Sequence, residues 1–281
     1  MTKNQRYKMK ENWRELAKTW ERFTPPGKPS VGEIDFFEQE LRDGLKSNKT
    51  PHVLVLGSTP EFRDLLARYE IDTTIVDINP DSARAMTSLM ALQNKKEKVI
   101  ISDWLHMPLE DSTFDFVLSD SAQDNIKFSE FEDFFEKVSR VLKPDGRWFF
   151  GAINVHRNDK ISFDEYISSY KNNPGDFEDF RDFLFQIIRL AYNEEFYDEQ
   201  SRLFDFYKIE LKVRELVDNG RLPKEAIEKL TIGVDYQQPM LSEEEFKGML
   251  TKKFIVISEF RDKTHPAMRF KWTAILKKIN D

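Results

Sequence analysis

From Pro51 to about residue 155, short apolar runs alternate with amphipathic stretches, and this alternation constrains the chain more than any other feature. It is the pattern of successive βα units, which assemble into a mostly parallel sheet covered on both faces. The apolar runs are HVLVLG (52–57), DTTIVDI (72–78), KVIIS (98–102), FDFVLS (114–119) and RWFFGAINV (147–155). Thr59-Pro60 and Asn79-Pro80 each set a capping residue before a proline suited to the first helical position. Phe62, Leu65, Leu66 and Tyr69 give the first of these helices its inward face, and Ala83, Met86, Leu89 and Met90 the second. Ser129 and Glu132 have capping-box spacing, and they predict a helix that carries Phe131, Phe134, Phe135, Val138 and Leu142 on one side and stops at Lys143-Pro144-Asp145-Gly146.

The flanks differ in character. Residues 1–50 read as a helical extension, with Trp13, Leu16, Trp20 and Phe23 at helical spacing, a proline-rich break at 25–30 and a second helix over 31–46. After the alternating core (51–155), residues 156–238 are rich in Phe, Tyr and acid and predict helices over 177–192 and 199–217. This helical insertion is either a lid over the site or a dimerisation element. Residues 239–281 return to the core with a Ser242/Glu245 capping box and two strands, 253–260 and 268–278, whose short connection makes them antiparallel.

Composition excludes several classes. With no Cys among 281 residues there is no disulfide framework, thiolate zinc site or cysteine nucleophile, and no metal site is predicted. A cytoplasmic location fits, because no run approaches about 18 apolar residues and no apolar leader follows the basic amino terminus. The net charge of −7 has the wrong sign for holding a phosphate backbone, so the expected partner is a small molecule and not nucleic acid. A homodimer is compatible with all of this.

In an open α/β sheet, ligands sit beyond the carboxyl ends of the strands where strand order reverses, so the first βα turn is the place to look. That turn reads Val55-Leu56-Gly57-Ser58-Thr59-Pro60-Glu61. Gly57 permits a tight turn and close backbone approach, and the helix behind it presents unpaired N–H groups. Asp77 lies 20 residues further on, at the end of the second run, where a carboxylate can accept from both hydroxyls of a ribose. Asp103 and Trp104, at the end of the third, offer a carboxylate to an amino group of adenine and an indole to its face; Trp104 reads equally as core.

These segments resemble the class I S-adenosylmethionine-dependent methyltransferases. The likeness rests on VLVLGSTPEFRDL as the glycine motif, TIVDINPD as the ribose-binding acidic motif, SDWLHMPLEDSTFDFVLSD as the adenine loop and LKPDGRWFF as the turn into the fifth strand, and it spans 51–155 with the closing strands. It implies a Rossmann-like α/β fold with a seven-stranded, mostly parallel sheet of order 3-2-1-4-5-7-6, the last strand antiparallel. It also implies S-adenosylmethionine as cofactor and S-adenosylhomocysteine as product, held by Gly57, Ser58, Thr59, Glu61, Asp77, Ile78, Asn79, Asp103, Trp104 and Asp120. Thr59 and Glu61 stand where the family has further glycines. A pyrophosphate prefers bare helix N–H groups, whereas Pro60 removes one donor and Glu61 adds negative charge, so the turn suits a methionyl ammonium better than a dinucleotide. Glu61 reads otherwise as an ordinary first-turn carboxylate facing the helix dipole.

Methyl transfer is an in-line displacement in which the protein chiefly orients the reactants, so the absence of a catalytic triad is no objection. The acceptor is expected beside the ends of strands four and five, near Asp120, Asp124 and His156. His156 is a base for a hydroxyl or ammonium acceptor or else a loop residue, and the two aspartates orient an acceptor or cap loops. A dinucleotide-using enzyme and a noncatalytic binding protein on the same fold stay open as alternatives.

Overall fold

The computed structural model describes residue 20 and residues 25–154, 163–172, 196–224, 226, 237–264 and 266–280. The expected amino-terminal helix over 8–23 and the segment 177–192 fall outside them, Trp20 excepted.

The core strands are β1 (His52–Leu56), β2 (Asp72–Asp77), β3 (Glu97–Ile101), β4 (Phe114–Asp120) and β5 (Leu142–Ile153), joined in parallel. The chain then makes a small antiparallel sheet from β6 (Tyr197–Asp198), β7 (Leu203–Asp205) and β8 (Gln237–Pro239), and returns to the main sheet as β9 (Phe254–Phe260) and β10 (Lys271–Lys278). The seven main strands lie in the order β3-β2-β1-β4-β5-β10-β9, with β10 antiparallel to both neighbours. This is the expected order, β9 and β10 being the sixth and seventh strands of that sheet.

Alternation along each central strand explains the three layers. Leu54, Leu56, Val117, Trp148 and Phe150 point to one face and pack with Phe131, Phe134, Phe135 and Phe246. Val53, Val55, Phe116, Leu118 and Phe149 point to the other and pack with Phe37, Leu41, Phe62, Leu65 and Leu66. Because the side-chain period of a strand is two, a sheet buried on both faces must be apolar at every position, as these runs are. The described helices are α1 (Val31–Ser47), α2 (Pro60–Arg68), α3 (Pro80–Ser88), α4 (Phe131–Val141), α5 (Phe163–Asn172), α6 (Phe206–Asp218) and α7 (Glu243–Leu250), and those partners come from α1, α2, α4 and α7.

The local capping signals hold at some helices and fail at others. Asn79 caps α3 by accepting from the N–H groups of Asp81 and Ser82, and Ser242 and Glu245 form the expected box on α7. Thr59 precedes α2 but makes no side-chain cap bond. The Ser129/Glu132 box does not form: Phe128–Glu130 make a 3-10 turn, so α4 starts at Phe131, one residue later than a helix capped by Ser129 would. The stop at Lys143-Pro144-Asp145-Gly146 is an irregularity inside β5, whose register against β4 jumps from Leu142 to Arg147 while Asp145 takes a left-handed φ of 64°. Within 199–217 the helix begins only at Phe206, because Leu203–Asp205 pair as β7 and Asp205 caps α6. No helix among the described residues is long and apolar enough to cross a membrane.

Candidate functional site

Gly57 ends β1 with φ +90°, in the left-handed region, and its N–H donates to the Val76 carbonyl of β2 (2.9 Å), so the first turn is pinned to the neighbouring strand. The Trp104 indole donates to the same carbonyl (2.7 Å), and its ring lies 3.7 Å from where a Cβ on Gly57 would stand. Trp104 is half-buried, with its ring 6.2 Å from that of Phe134, and it also walls the glycine turn.

Asp77 is buried at the end of β2. Its Oδ2 accepts from Ser58 Oγ (2.6 Å) and its Oδ1 from the Asn79 N–H (2.8 Å), so Ser58, Asp77 and Asn79 form one chain of bonds linking the turns after β1 and β2. Burial raises the Asp77 pKa above its ordinary value, while the bonds from Ser58 and Asn79 oppose the rise. Each carboxylate oxygen has a lone pair left for a ribose hydroxyl. Ile78 is half-buried between Asp77 and Asn79. Asp103 is half-buried and caps the short turn Trp104–His106 by accepting from the Leu105 N–H (2.9 Å).

The other half of the site is acidic. Glu61 Oε1 accepts from the Trp20 indole (3.1 Å) and stands 4.0 Å from Lys28 Nζ; its buried Oε2 has no hydrogen-bond partner among the described residues. Asp120, at the end of β4, pairs with Lys271 of β10 (Oδ1 to Nζ, 2.6 Å), and Lys271 also donates to Glu33 of α1 (2.9 Å). Both Lys271 and Glu33 are buried, with side chains 0% and 1% exposed. Burial pushes the Asp120 carboxyl up to about 6; Lys271 pulls it down, and Glu33 and Glu61 add to the rise. Burial alone would lower Lys271, but Asp120 and Glu33 outweigh it and hold its pKa above the usual lysine value. Lys271 and Glu33 were missed from sequence. The available signal was a lone lysine in KWTAIL, a run buried on both faces.

Beyond Asp120 the chain turns sharply, with Ser121 at φ 53°, into the 3-10 turn Ala122–Asn125. Ser121 Oγ, Gln123 Oε1, Asn125 Oδ1 and both amide atoms of Asn154 are buried without hydrogen-bond partners among the described residues. Asp124 accepts from Gln238 of β8, so the small sheet of the insertion rests on this turn. The structure thus brings Gly57, Ser58, Glu61, Asp77, Trp104, Asp120 and Asp124 to one carboxyl edge of the sheet, whereas His156 lies outside the described residues.

Comparison with known proteins fits this layout. A family model described as a methyltransferase domain matches residues 56–150, from the end of β1 to β5. No curated protein matches the sequence. Among solved structures, a protein described as a putative zinc-dependent alcohol dehydrogenase from Rhodobacter sphaeroides is 16% identical, with 96% of this chain and 98% of that one covered and a TM-score of 0.58. The N-methyltransferase NodS from Bradyrhizobium japonicum WM9, solved with S-adenosyl-L-homocysteine, is 10% identical over 96% and 99% of the two chains, with a TM-score of 0.53. The 1,6-didemethyltoxoflavin-N1-methyltransferase from Burkholderia thailandensis, solved with its acceptor and S-adenosylhomocysteine, is 10% identical over 98% and 87%, also with a TM-score of 0.53. At such identities these structures speak for the fold, and the match over 56–150 speaks for the chemistry. A glycine turn pinned between β1 and β2, a buried carboxylate at the end of β2 and an antiparallel β10 beside β5 agree with both, and residues 56–150 carry a methyltransferase domain of the class I S-adenosylmethionine-dependent kind.

Proposed function

We propose that this methyltransferase acts on a small-molecule acceptor held beside the ends of β4 and β5, beneath the insertion. The observation that carries this reading is the group of buried polar atoms on Ser121, Gln123, Asn125 and Asn154 that find no partner among the described residues, next to the Gln238–Asp124 bond. Buried polar atoms cost free energy until something satisfies them, and a polar ligand of limited size does so. The bound acceptor of the Burkholderia enzyme is such a molecule.

The residues fit the cofactor. Asp77 and Ser58 receive the ribose, with Ile78 and Asn79 shaping that turn; Asp103 and Trp104 border the adenine; Gly57 and Thr59 leave the backbone open. Glu61 and Asp120 make an anionic corner for the methionyl ammonium, and the buried Oε2 of Glu61, without a hydrogen-bond partner among the described residues, is the atom that calls for a donor. When bound, S-adenosylmethionine supplies a sulfonium methyl that transfers by in-line displacement. The protein holds the acceptor atom in line, excludes water and takes up the proton when the nucleophile is a hydroxyl or an ammonium. Asp124 and the polar turn orient the acceptor, and His156, just beyond β5, is the proposed base.

With methyl-labelled cofactor, label is expected in small amine or hydroxyl acceptors from a metabolite pool. Label appearing only in RNA, DNA or protein would overturn the reading. With an acceptor in hand, the rate at subsaturating acceptor should fall as pH drops through about 6.5, and His156→Ala should lose that limb. An unchanged pH profile in His156→Ala removes it as the base.

A further inference from the structure

We infer that Lys271 is a positioning residue for methyl transfer, holding the Asp120 carboxylate at the cofactor edge from two strands away, with Glu33 as its second anchor. The inference rests on the reading above that Asp120 receives the methionyl ammonium.

The register explains the reach. Asp120 of β4 pairs with Gly151 of β5, and Gly151 pairs with Thr273 of β10, so these residues and Lys271, two places before Thr273, share the face covered by α1. Gly151 leaves the gap through which Lys271 crosses β5. A Cβ there would stand 2.8 Å from Asp120 Oδ1 and 3.3 Å from Lys271 Cε. Glu33 closes the cluster from above: its Oε2 accepts from Lys271 Nζ (2.9 Å) and its Oε1 from Thr273 Oγ1 (2.5 Å), while Ser30 Oγ bonds Asp262 and fixes the start of α1. A flexible four-carbon side chain is thereby held at both sides of its ammonium, and Asp120 loses the freedom to swing away.

The charges give the cluster a function beyond packing. Among the described residues, the charged groups acting on Asp120 are Lys271 from β10, Glu33 from α1 and Glu61 from α2. Two of the three favour the neutral carboxyl, and Lys271 alone favours the anion. An ammonium ligand needs that anion. Lys271 therefore raises, and Glu33 lowers, the share of Asp120 ready to bind at a given pH.

The test is calorimetric titration of the whole protein with S-adenosylhomocysteine between pH 5 and 8. In the wild type, affinity should weaken as pH falls through about 6, where Asp120 takes up a proton. Lys271→Met should move this limb upward and weaken binding at pH 7 about tenfold or more, since a charge-assisted bond is lost in most molecules. Glu33→Gln, which keeps a capping-box residue type, should move the limb downward and tighten binding near pH 6. Opposite movements cannot come from general loosening of the fold, and Glu33→Gln decides the matter if Lys271→Met does not fold. Should Asp120→Asn abolish the limb while Lys271→Met and Glu33→Gln both leave it at the wild-type pH, the positioning role is wrong and Asp120's own role stands. Should Asp120→Asn bind as wild type throughout, or the wild type show no limb, the ammonium-binding reading fails and the inference falls with it.

Discussion

Lys271→Met is expected to lower the free energy of unfolding by about 3–5 kcal/mol, because removing one partner of a buried ion pair leaves uncompensated charge in the interior. Lys271 is fully buried between Asp120 and Glu33, and methionine fills the space without supplying a donor. The loss should also depend on pH. Asp120 has a folded-state pKa of about 6 against an ordinary 3.8, so its contribution to stability is complete below 3.8 and is lost as pH rises through 6. Without Lys271 that window extends to higher pH, and the deficit between variant and wild type must grow from pH 5 to pH 8. Urea midpoints at the two pH values measure it. A deficit under about 1 kcal/mol, or one equal at both pH values, would mean that the ammonium is not balancing the Asp120 charge.

Asp77→Ala is expected to weaken binding of S-adenosylhomocysteine by roughly 10-fold to 150-fold, the equivalent of about 1.5–3 kcal/mol for hydrogen bonds to a charged group. The fold should persist, because the bonds that Asp77 makes within the protein, to Ser58 and to the Asn79 N–H, join two neighbouring turns at the strand ends and not the layers of the core. Calorimetry on the folded variant gives the number directly. Wild-type affinity in a folded Asp77→Ala protein would place the ribose elsewhere than at the end of β2.

The sheet was legible because a strand buried on both faces must be a continuous apolar run, and HVLVL, TTIV, FVL and WFFGAI can be little else. Asp77, the proposed ribose ligand, stands out in the sequence for a related reason: polarity abruptly resumes there, where β2 ends. Helix starts were less secure. Ser129 and Glu132 have the right spacing, but Phe128–Glu130 form a 3-10 turn and Phe131, the first helical residue, stacks on Phe246 of α7, so tertiary packing overrides the local cap. The Lys271 cluster was not legible at all. Its members are 33, 120 and 271, no local pattern connects them, and Glu33 looks complete as the N3 residue of a capping box, which it also is. Only the register across β4, β5 and β10 brings them together.

The contact between Lys271 and Glu33 spans 238 residues of chain, and that between Thr273 and Glu33 spans 240. Closing so long a loop is entropically costly and gives nothing back until both ends have arrived. A partly folded form in which β1–β5 have assembled and β10 has not docked would have an uncompensated Asp120, and its ligand edge would be electrostatically unfinished. Limited proteolysis near the β9–β10 connection should in consequence silence ligand binding well before it melts the parallel strands, so that the long-range contact reports on the completeness of the molecule as well as on its chemistry.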